Sequence, residues 1–549
     1  MRTNGKRTKT SEELDYLIIG GGPAGLQLAY FLSQAGRHYL ALEGANTPGS
    51  FFKKFPRSRS LISFNKKFSL YTDPELLLRW DWNSLLTDNY EFTFPQFSDR
   101  LYPRAEELLR YFRGFSEKYK LAIKYNTRVN SVTRGPSGQF VVTDDKGRQY
   151  LTRRLVIATG TSQPYVPRIS GIELAEGYEN VSMRRSDFKD QRVLLIGKGN
   201  SGFEIAESVL DWCKLVHLAS PTPVRMAWKT RHAGDLRAHY TRLMDAYQLK
   251  MLHGVLDCTV ESIEKRADGK FVVTVVYSHA EGERERIVYD RVVRATGFKF
   301  DDSIFVDGTR PLLVMDNRFP NMTSGWESTN VPDMFFAGTL MQMRDFRKAA
   351  SPFIDGFRYN VRTLYHLLEH RYYGQPLPGE DLPLDAESVS RAILGRICRN
   401  SALWAQFGYL CDAIRIDDRT QRAMYFFELP LDYVHDSEIG RSTHYYTITF
   451  EWGRWDGDVF NITRHPVHER AEAGAFLHPI VRRFCGGRMV SQHHLLEDLL
   501  GMYCSVGETG TIETRSNRDM HRYHLEEHEL PLRQFFESQL GTSFCGNPH

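Results

Sequence analysis

Cysteine is sparse in this chain: seven in 549 residues (Cys213, Cys258, Cys398, Cys411, Cys485, Cys504 and Cys545), an odd number with no close pair. Without a Cys-x-x-Cys, electrons cannot be relayed through a neighbouring dithiol, and the scatter suits a reducing compartment. No apolar run is long enough to span a membrane. The polar, basic start, 1–14, reads as a disordered tail and lacks the apolar core and cleavage site of a secretory signal; the chain ends Gly546-Asn547-Pro548-His549, without a retention signal. A cytoplasmic protein with no membrane partner is therefore expected. The formal charge is only +4, which calls for no nucleic-acid partner. Present instead are 41% hydrophobic and 13% aromatic residues, enough for two to four domains, each with its own core.

The first apolar run, Asp15-Tyr16-Leu17-Ile18-Ile19, has the length of a buried parallel strand and leads directly into Gly20-Gly21-Gly22-Pro23-Ala24-Gly25. This is G-x-G-x-x-G between a strand and the helical spacing of Leu26 to Gln34. At such a turn Gly20 permits the tight bend, Gly22 lets a pyrophosphate approach the backbone, and Gly25 lets helix and strand pack closely. A second strand, Tyr39-Leu40-Ala41-Leu42, ends at Glu43, about 20 residues on, where a carboxylate can accept both hydrogen bonds of a ribose diol. A lone glycine motif is equally a simple turn. Strand, glycines, helix, strand and acid in register point to a dinucleotide, FAD.

The same grammar recurs at Arg192-Val193-Leu194-Leu195-Ile196, then Gly197-Lys198-Gly199-Asn200-Ser201-Gly202, then a helical stretch from Phe203 to Val209. Here the second strand, Leu215-Val216-His217-Leu218, runs into Ala219-Ser220 with no acid, and Arg225 follows. A hydroxyl and a guanidinium accommodate a 2′-phosphate that a carboxylate would repel, which favours NADPH over NADH; the alternative is that Arg225 is a solvated surface charge. Two strands closing on Ala-Thr-Gly, at Ala158-Thr159-Gly160 and Ala295-Thr296-Gly297, bracket this unit as an insertion. Met334 to Thr339, with Gly338, reads as a strand returning to the FAD domain. A helix over Ser351 to Leu368 follows it, with its N-terminus placed to face the electron-rich end of a reduced flavin.

The fold class expected is α/β, with two Rossmann-like three-layer domains for FAD and NAD(P)H, the second inserted in the first, plus an α+β C-terminal domain. The boundaries are 15–170 and 326–372 for the FAD domain, 171–325 for the NAD(P)H domain and 373–549 for the C-terminal domain. In the last, alternation of Tyr446, Ile448, Phe450 and Trp452 predicts a half-buried antiparallel strand, with Val459 to Ile462 as its hairpin partner across Asp456-Gly457. Leu495 to Tyr503 and Leu532 to Leu540 predict helices. This domain covers the flavin region or forms a homodimer contact. His521, His524 and His528 would share a helix face, but no completing ligand is evident and no metal is expected. His493-His494 with Glu497 and Asp498 read as helix packing and capping or a partner surface.

Longer motifs stand beside these: Gly49-Ser50-Phe51-Phe52, Phe55-Pro56-Arg57, Leu61-Ile62-Ser63-Phe64-Asn65-Lys66, Asp81-Trp82-Asn83-Ser84-Leu85-Leu86, Gly356-Phe357-Arg358-Tyr359 and His493 to Asp498. On them the chain resembles the two-dinucleotide-domain flavoproteins, near the flavin-containing monooxygenases, and more closely the FAD-dependent oxidoreductase domain-containing flavoproteins of the endoplasmic reticulum. The resemblance implies FAD reduced by a nicotinamide cofactor. Expected FAD-site residues are Gly20, Gly22, Pro23, Ala24, Gly25, Glu43, Ser50, Phe51, Val129, Ala158, Thr159, Gly160 and Gly338. Those for NADPH are Gly197, Gly199, Asn200, Ser201, Ser220 and Arg225.

The reaction expected is monooxygenation of a small molecule, including N-oxygenation of an amine or amino acid, by O₂ through a flavin C4a-hydroperoxide. Asn65 resembles the asparagine that monooxygenases place beside C4a and is the candidate catalytic residue. Lys54, Arg57, Arg59 and Lys66 are solvated, face cofactor phosphates, or hold an anionic substrate. The monooxygenases carry Phe-x-Gly-x-x-x-His before the second glycine motif, whereas this chain has Val181 where the histidine would stand. The alternatives are a flavin oxidoreductase or dehydrogenase without oxygen transfer, and a flavoprotein with a mainly partner-binding role.

Overall fold

The computed structural model describes residues 13–540 except 70, 307, 418, 455–460, 463, 466, 499–500, 502 and 504–523. The tail 1–12 therefore lies outside the described residues, but Leu14 is already strand. The strand Leu14–Ile19 runs between Tyr39–Leu42 and Gln149–Ile157, parallel to both, and Met334–Phe336 adds a further parallel strand to Gln149–Ile157. Gln149–Ile157 also closes an antiparallel meander with Phe140–Asp144 and Val129–Arg134, and Ile123–Lys124 pairs parallel to Tyr39–Leu42 at the other edge, completing a seven-stranded sheet. Tyr16, Leu17 and Ile18 are fully buried, as a strand covered on both faces requires. Helix α1 (Pro23–Gln34) leaves this strand with proline in its first turn, where a missing N–H costs nothing, and buries every residue from Ala24 to Leu32.

The second sheet has strand order Arg284–Tyr289, Phe271–Tyr277, Gly254–Lys265, Leu215–Ser220, Arg192–Ile196, Arg291–Arg294 and Glu176–Gly177. Helix α2 (Asn200–Val209) leaves Arg192–Ile196 just as α1 leaves Leu14–Ile19. Its two faces have separate apolar cores. The boundary expected at 325 is corrected. After Arg294 the chain soon rejoins the first core, with Phe300, Phe305 and Met322 buried in it and Phe305 bridging to Val132. These residues have no strand period to announce which core they feed.

Helix α3 (Ile354–Tyr373) crosses the first domain against α1, with Phe31 and Tyr365 stacked at 5.3 Å. It ends on Gly374, whose φ of 66° terminates it in the left-handed region. Beyond it lies a six-stranded antiparallel sheet in the order Gly379–Pro383, Arg422–Pro430, Leu410–Asp417, His444–Trp452, Leu477–Cys485 and Arg488–His494. Its core is continuous with that of the first domain. Buried arginines bolt the two together: Arg79 donates to the carbonyls of Ile397, Cys398 and Asn400, and also to that of Gly501.

Several C-terminal expectations are corrected. His444–Trp452 is not half-buried, because both faces are covered from His444 to Phe450, with Tyr446 packed on Phe536 of the Leu530–Leu540 helix. Its partner is Leu477–Cys485; Asp456, Gly457 and Val459 lie outside the described residues. Leu495 to Asp498, Gly501 and Tyr503 are not helical, and His493 and His494 end a strand, with His494 Nδ1 2.9 Å from His478 Nε2. Glu497 anchors a loop, accepting from Arg464 and from the Phe476 N–H. His524 and His528 are buried, and His521 lies outside the described residues. Cys398 and Cys485 each take part in a disulfide, which removes the cysteine argument for a reducing compartment: spacing says nothing about sulfurs that the fold brings together. No helix among the described residues is long and apolar enough to cross a membrane.

Candidate active site

The two glycine turns are built alike, atom for atom. Gly20 has φ +115°, and a Cβ there would lie 2.5 Å from the Ala158 carbonyl oxygen; at Gly25 it would lie 2.0 Å from the Gly20 oxygen. Gly197 has φ +119° with the same conflict at 2.3 Å from the Ala295 oxygen, and Gly202 meets the Gly197 oxygen at 2.3 Å. Between them Gly22 and Gly199 face open space, with nothing within 4 Å of an added Cβ. Two glycines thus close the helix onto the strand while the middle one leaves the helix N-terminus bare on one side, the cradle a pyrophosphate needs.

Glu43 stands at the end of its strand, fixed by the N–H groups of Gly21 and Ala45 at 2.8 Å each and by Ser50 Oγ at 3.1 Å. The segment Asn126 to Arg128, leading into Val129, runs beside Glu43 to Ala45. In the second turn Ser220 Oγ donates to the Thr222 carbonyl, and Arg225 pairs with Asp235 at 3.4 Å. A carboxylate is present after all on the neighbouring strand, where Asp257 is in register with Ser220, but Lys198 from the glycine turn pairs with it. That pair was hidden because it joins residues 59 apart in sequence. It leaves the Asp257 carboxylate charge-paired.

Both turns open on one cavity of about 470 Å³. From the expected residues it gathers Gly22, Pro23, Ala24, Phe51, Ala158, Thr159, Gly160, Asn200, Ser201 and Gly338. Gly20, Gly25, Gly197 and Gly199 form the turns behind it; Glu43, Ser50, Val129, Ser220 and Arg225 stand off from its wall. Phe353, at the helix start expected to face the flavin, lines it too, together with Trp82, Asn83, Tyr178, Glu204, Arg237, Phe298 and Asp355, which the sequence did not single out as site residues. Asn83 and Trp82 sit within a motif already singled out. Asp355 comes from the start of α3 in the first domain; Tyr178, Glu204, Arg237 and Phe298 are brought in by the docking of the two domains, on which spacing is silent.

Glu204, from α2, is one hinge of that docking: it accepts from the Ser58 N–H and the Tyr178 hydroxyl, and burial raises its pKa. Arg237 is another, donating to the Ile62 carbonyl at 2.8 Å while its guanidinium lies over Phe64 and Trp82.

Asn65 is corrected. It is 2% exposed and is not among the residues lining the cavity; its amide donates to the carbonyls of Ser98 and Arg100, at 2.8 and 3.1 Å. Both amide hydrogens are spent on loop backbone. The basic residues of the same stretch also turn to protein. Arg57 donates to the Val181 carbonyl, Arg59 to Glu106 and the Phe52 carbonyl, Lys54 to Asn180, and none of them, nor Lys66, lines the cavity.

Paired dinucleotide turns on a shared cavity define a two-domain flavin oxidoreductase. Residues 17–338 match the pyridine nucleotide-disulphide oxidoreductase family, and the chain belongs to that family, whose members are FAD-binding flavoproteins using NAD(P)H. Over 96% of its length it is 35% identical to FAD-dependent oxidoreductase domain-containing protein 2 of Mus musculus, covering 84% of that protein. It is 36% identical, again over 96% of its length, to the Danio rerio protein of the same name, covering 83% of it. Among solved structures, a flavin-containing monooxygenase from Stenotrophomonas maltophilia matches 66% of this chain and 100% of its own with a TM-score of 0.50 at 21% identity. A bacillithiol disulfide reductase from Staphylococcus aureus matches 66% and 99% with a TM-score of 0.51 at 19% identity. These two share the fold.

Proposed function

We propose that the chain is an NADPH-dependent FAD oxidoreductase in which the nicotinamide reaches the flavin inside the cavity between the two glycine turns. The observation that carries this is the opening of both turns onto that one space. FAD, when bound, supplies a two-electron acceptor for the nicotinamide's hydride. The protein's own work is binding and positioning. Gly20 to Gly25 and Glu43 hold one dinucleotide; Gly197 to Gly202 hold the other, with Ser220, Arg225 and the Lys198–Asp257 pair placed for its ribose end. Phe51, Phe55, Trp82, Tyr178, Phe298 and Phe353 line the space between them with apolar surface.

The preferred onward step is electron delivery to an acceptor from outside rather than oxygen transfer. Asn65, the donor expected to cap an oxygenated flavin, is committed elsewhere. Oxygen transfer to a small molecule is the second reading, favoured by the aromatic walls of the cavity. Mixing the NADPH-reduced protein with O₂ in a stopped-flow instrument separates the two. Direct return of oxidised flavin with stoichiometric hydrogen peroxide is the expected result; a delayed return through a transient with its own absorbance, before the same peroxide is released, would favour oxygen transfer and overturn the preference.

A further inference from the structure

One ionisable group in the cavity is used by neither glycine turn. Asp355 is the second residue of α3 and lines the cavity, yet it is only 8% exposed and its Oδ1 has no hydrogen-bond partner. A first-turn aspartate usually serves the helix dipole from a solvated position, where its charge is inexpensive. Here the carboxyl is largely withdrawn from water and one of its oxygens is left without a partner, a state that native folds seldom keep without a use for it.

The charged groups that face it come from three elements. Arg358, one turn further along α3, spends its guanidinium on the carbonyls of Leu78, Asp81 and Ser84 and on the Tyr359 hydroxyl. Arg237 comes from the second domain and donates to Ile62. Asp81, from the segment behind Trp82, accepts from Ser84 and from the N–H of Asn83. The two arginines attract the carboxylate form of Asp355 and Asp81 disfavours it, but burial is the largest influence and the pKa is pushed up to about 7. The group is poised to change charge at neutral pH, and any charge entering the cavity shifts that balance.

We propose that Asp355 is the proton-exchanging carboxyl of the cavity, taking up one proton when negative charge arrives with two-electron reduction of the flavin and releasing it on reoxidation. The balance is simple: one solvent proton and one carboxylate become one carboxylic acid, an O–H bond forms, and nothing else in the side chain changes. The proposal rests on the reading that FAD occupies this cavity.

The test measures the flavin midpoint potential from about pH 6 to about pH 8.5 in the wild-type holoprotein, Asp355→Asn and Asp355→Glu, with bound FAD quantified in each. One extra proton taken up per two electrons changes the reduction equilibrium tenfold per pH unit, or about 30 mV. The wild type is expected to show this extra slope on the alkaline side of a break near neutrality, where Asp355 is still a carboxylate before reduction, and to lose it on the acid side, where the carboxyl is already protonated. Asp355→Asn is expected to lose the break and Asp355→Glu to shift it. Parallel pH profiles in the wild type and Asp355→Asn, both fully loaded, overturn the proposal. Should Asp355→Asn not retain FAD, the infrared difference spectrum of wild-type reduction decides. A protonated-carboxyl band that gains intensity, shifts in D₂O and moves in Asp355→Glu supports the assignment; no such band overturns it. A wild-type protein that binds no FAD sinks the functional reading instead.

Discussion

Replacing Gly22 by alanine separates what the protein needs from what its ligand needs. Gly22 has φ −75° and ψ −178°, which alanine adopts freely, and its added Cβ meets no protein atom within 4 Å. As a helix N-cap, alanine is worse than glycine by about 0.5–1 kcal/mol, offset by about 0.4–1 kcal/mol from a stiffer unfolded chain. The apo-protein should therefore unfold within about 1 kcal/mol of wild type. The methyl group projects into the space a pyrophosphate would take, and displacing it from one or two charge-assisted N–H bonds costs about 2–4 kcal/mol. FAD affinity should fall about 30- to 700-fold by fluorescence titration. Gly199→Ala, with φ −91° and ψ −177° and equally open space, should do the same to NADPH and spare FAD. Gly25→Ala is the control: its Cβ would lie 2.0 Å from the Gly20 oxygen, so the fold itself should weaken. Wild-type FAD affinity in Gly22→Ala, or an apo-protein destabilised as much as Gly25→Ala, would refute the reasoning.

Other outcomes follow from the same geometry. Asn65→Ala should lose two hydrogen bonds to loop carbonyls and about 1–2 kcal/mol of stability in urea unfolding while leaving the reaction of the reduced protein with O₂ unchanged; a selective effect on that reaction would restore Asn65 to the site. Arg358→Met leaves the carbonyls of Leu78, Asp81 and Ser84 without their buried donor and should cost about 3 kcal/mol, seen as a lower unfolding midpoint; a change below about 1 kcal/mol would contradict the clamp. Burial pushes His493 down to about 3 and His494 down to about 4, whereas an unfolded histidine titrates near 6.5. Below about 6.5 the unfolded chain gains protons that the fold refuses, so stability is full above that pH and falls on acidification. At about pH 5 His493 alone accounts for about 2 kcal/mol, and His493→Phe should flatten the pH dependence of urea unfolding; a slope equal to wild type would reject the assignment.

The nucleotide half of this molecule is legible because local chemistry dictates it. A strand, three glycines at fixed offsets and a helix leave one geometry for the backbone, and Gly20, Gly25, Gly197 and Gly202 each show the close contact that forbids a side chain there. Glu43 follows from the strand length alone. What could not be read was contact between residues far apart in the sequence. Arg237 and Tyr178 reach the cavity from another domain, and Asp257 neutralises Lys198 from an adjacent strand. Asn65 shows the opposite failure: its place in a motif suggested a cofactor contact, but motif membership does not fix where an amide points. The strand His444–Trp452 looked half-buried because its alternating aromatics mark one face. The other face carries Tyr445, Thr447 and Thr449, buried too, and a buried threonine reads as polar in any periodicity.

The central claim is that flavin and nicotinamide meet in the cavity between the two turns. Its most direct test is anaerobic mixing of the FAD-loaded protein with NADPH and with NADPH deuterated at C4, following the flavin absorbance. Bleaching of the flavin that slows with one deuterated face, and that proceeds faster with NADPH than with NADH, is the predicted result. Full FAD occupancy with no reduction by either nucleotide would contradict the account.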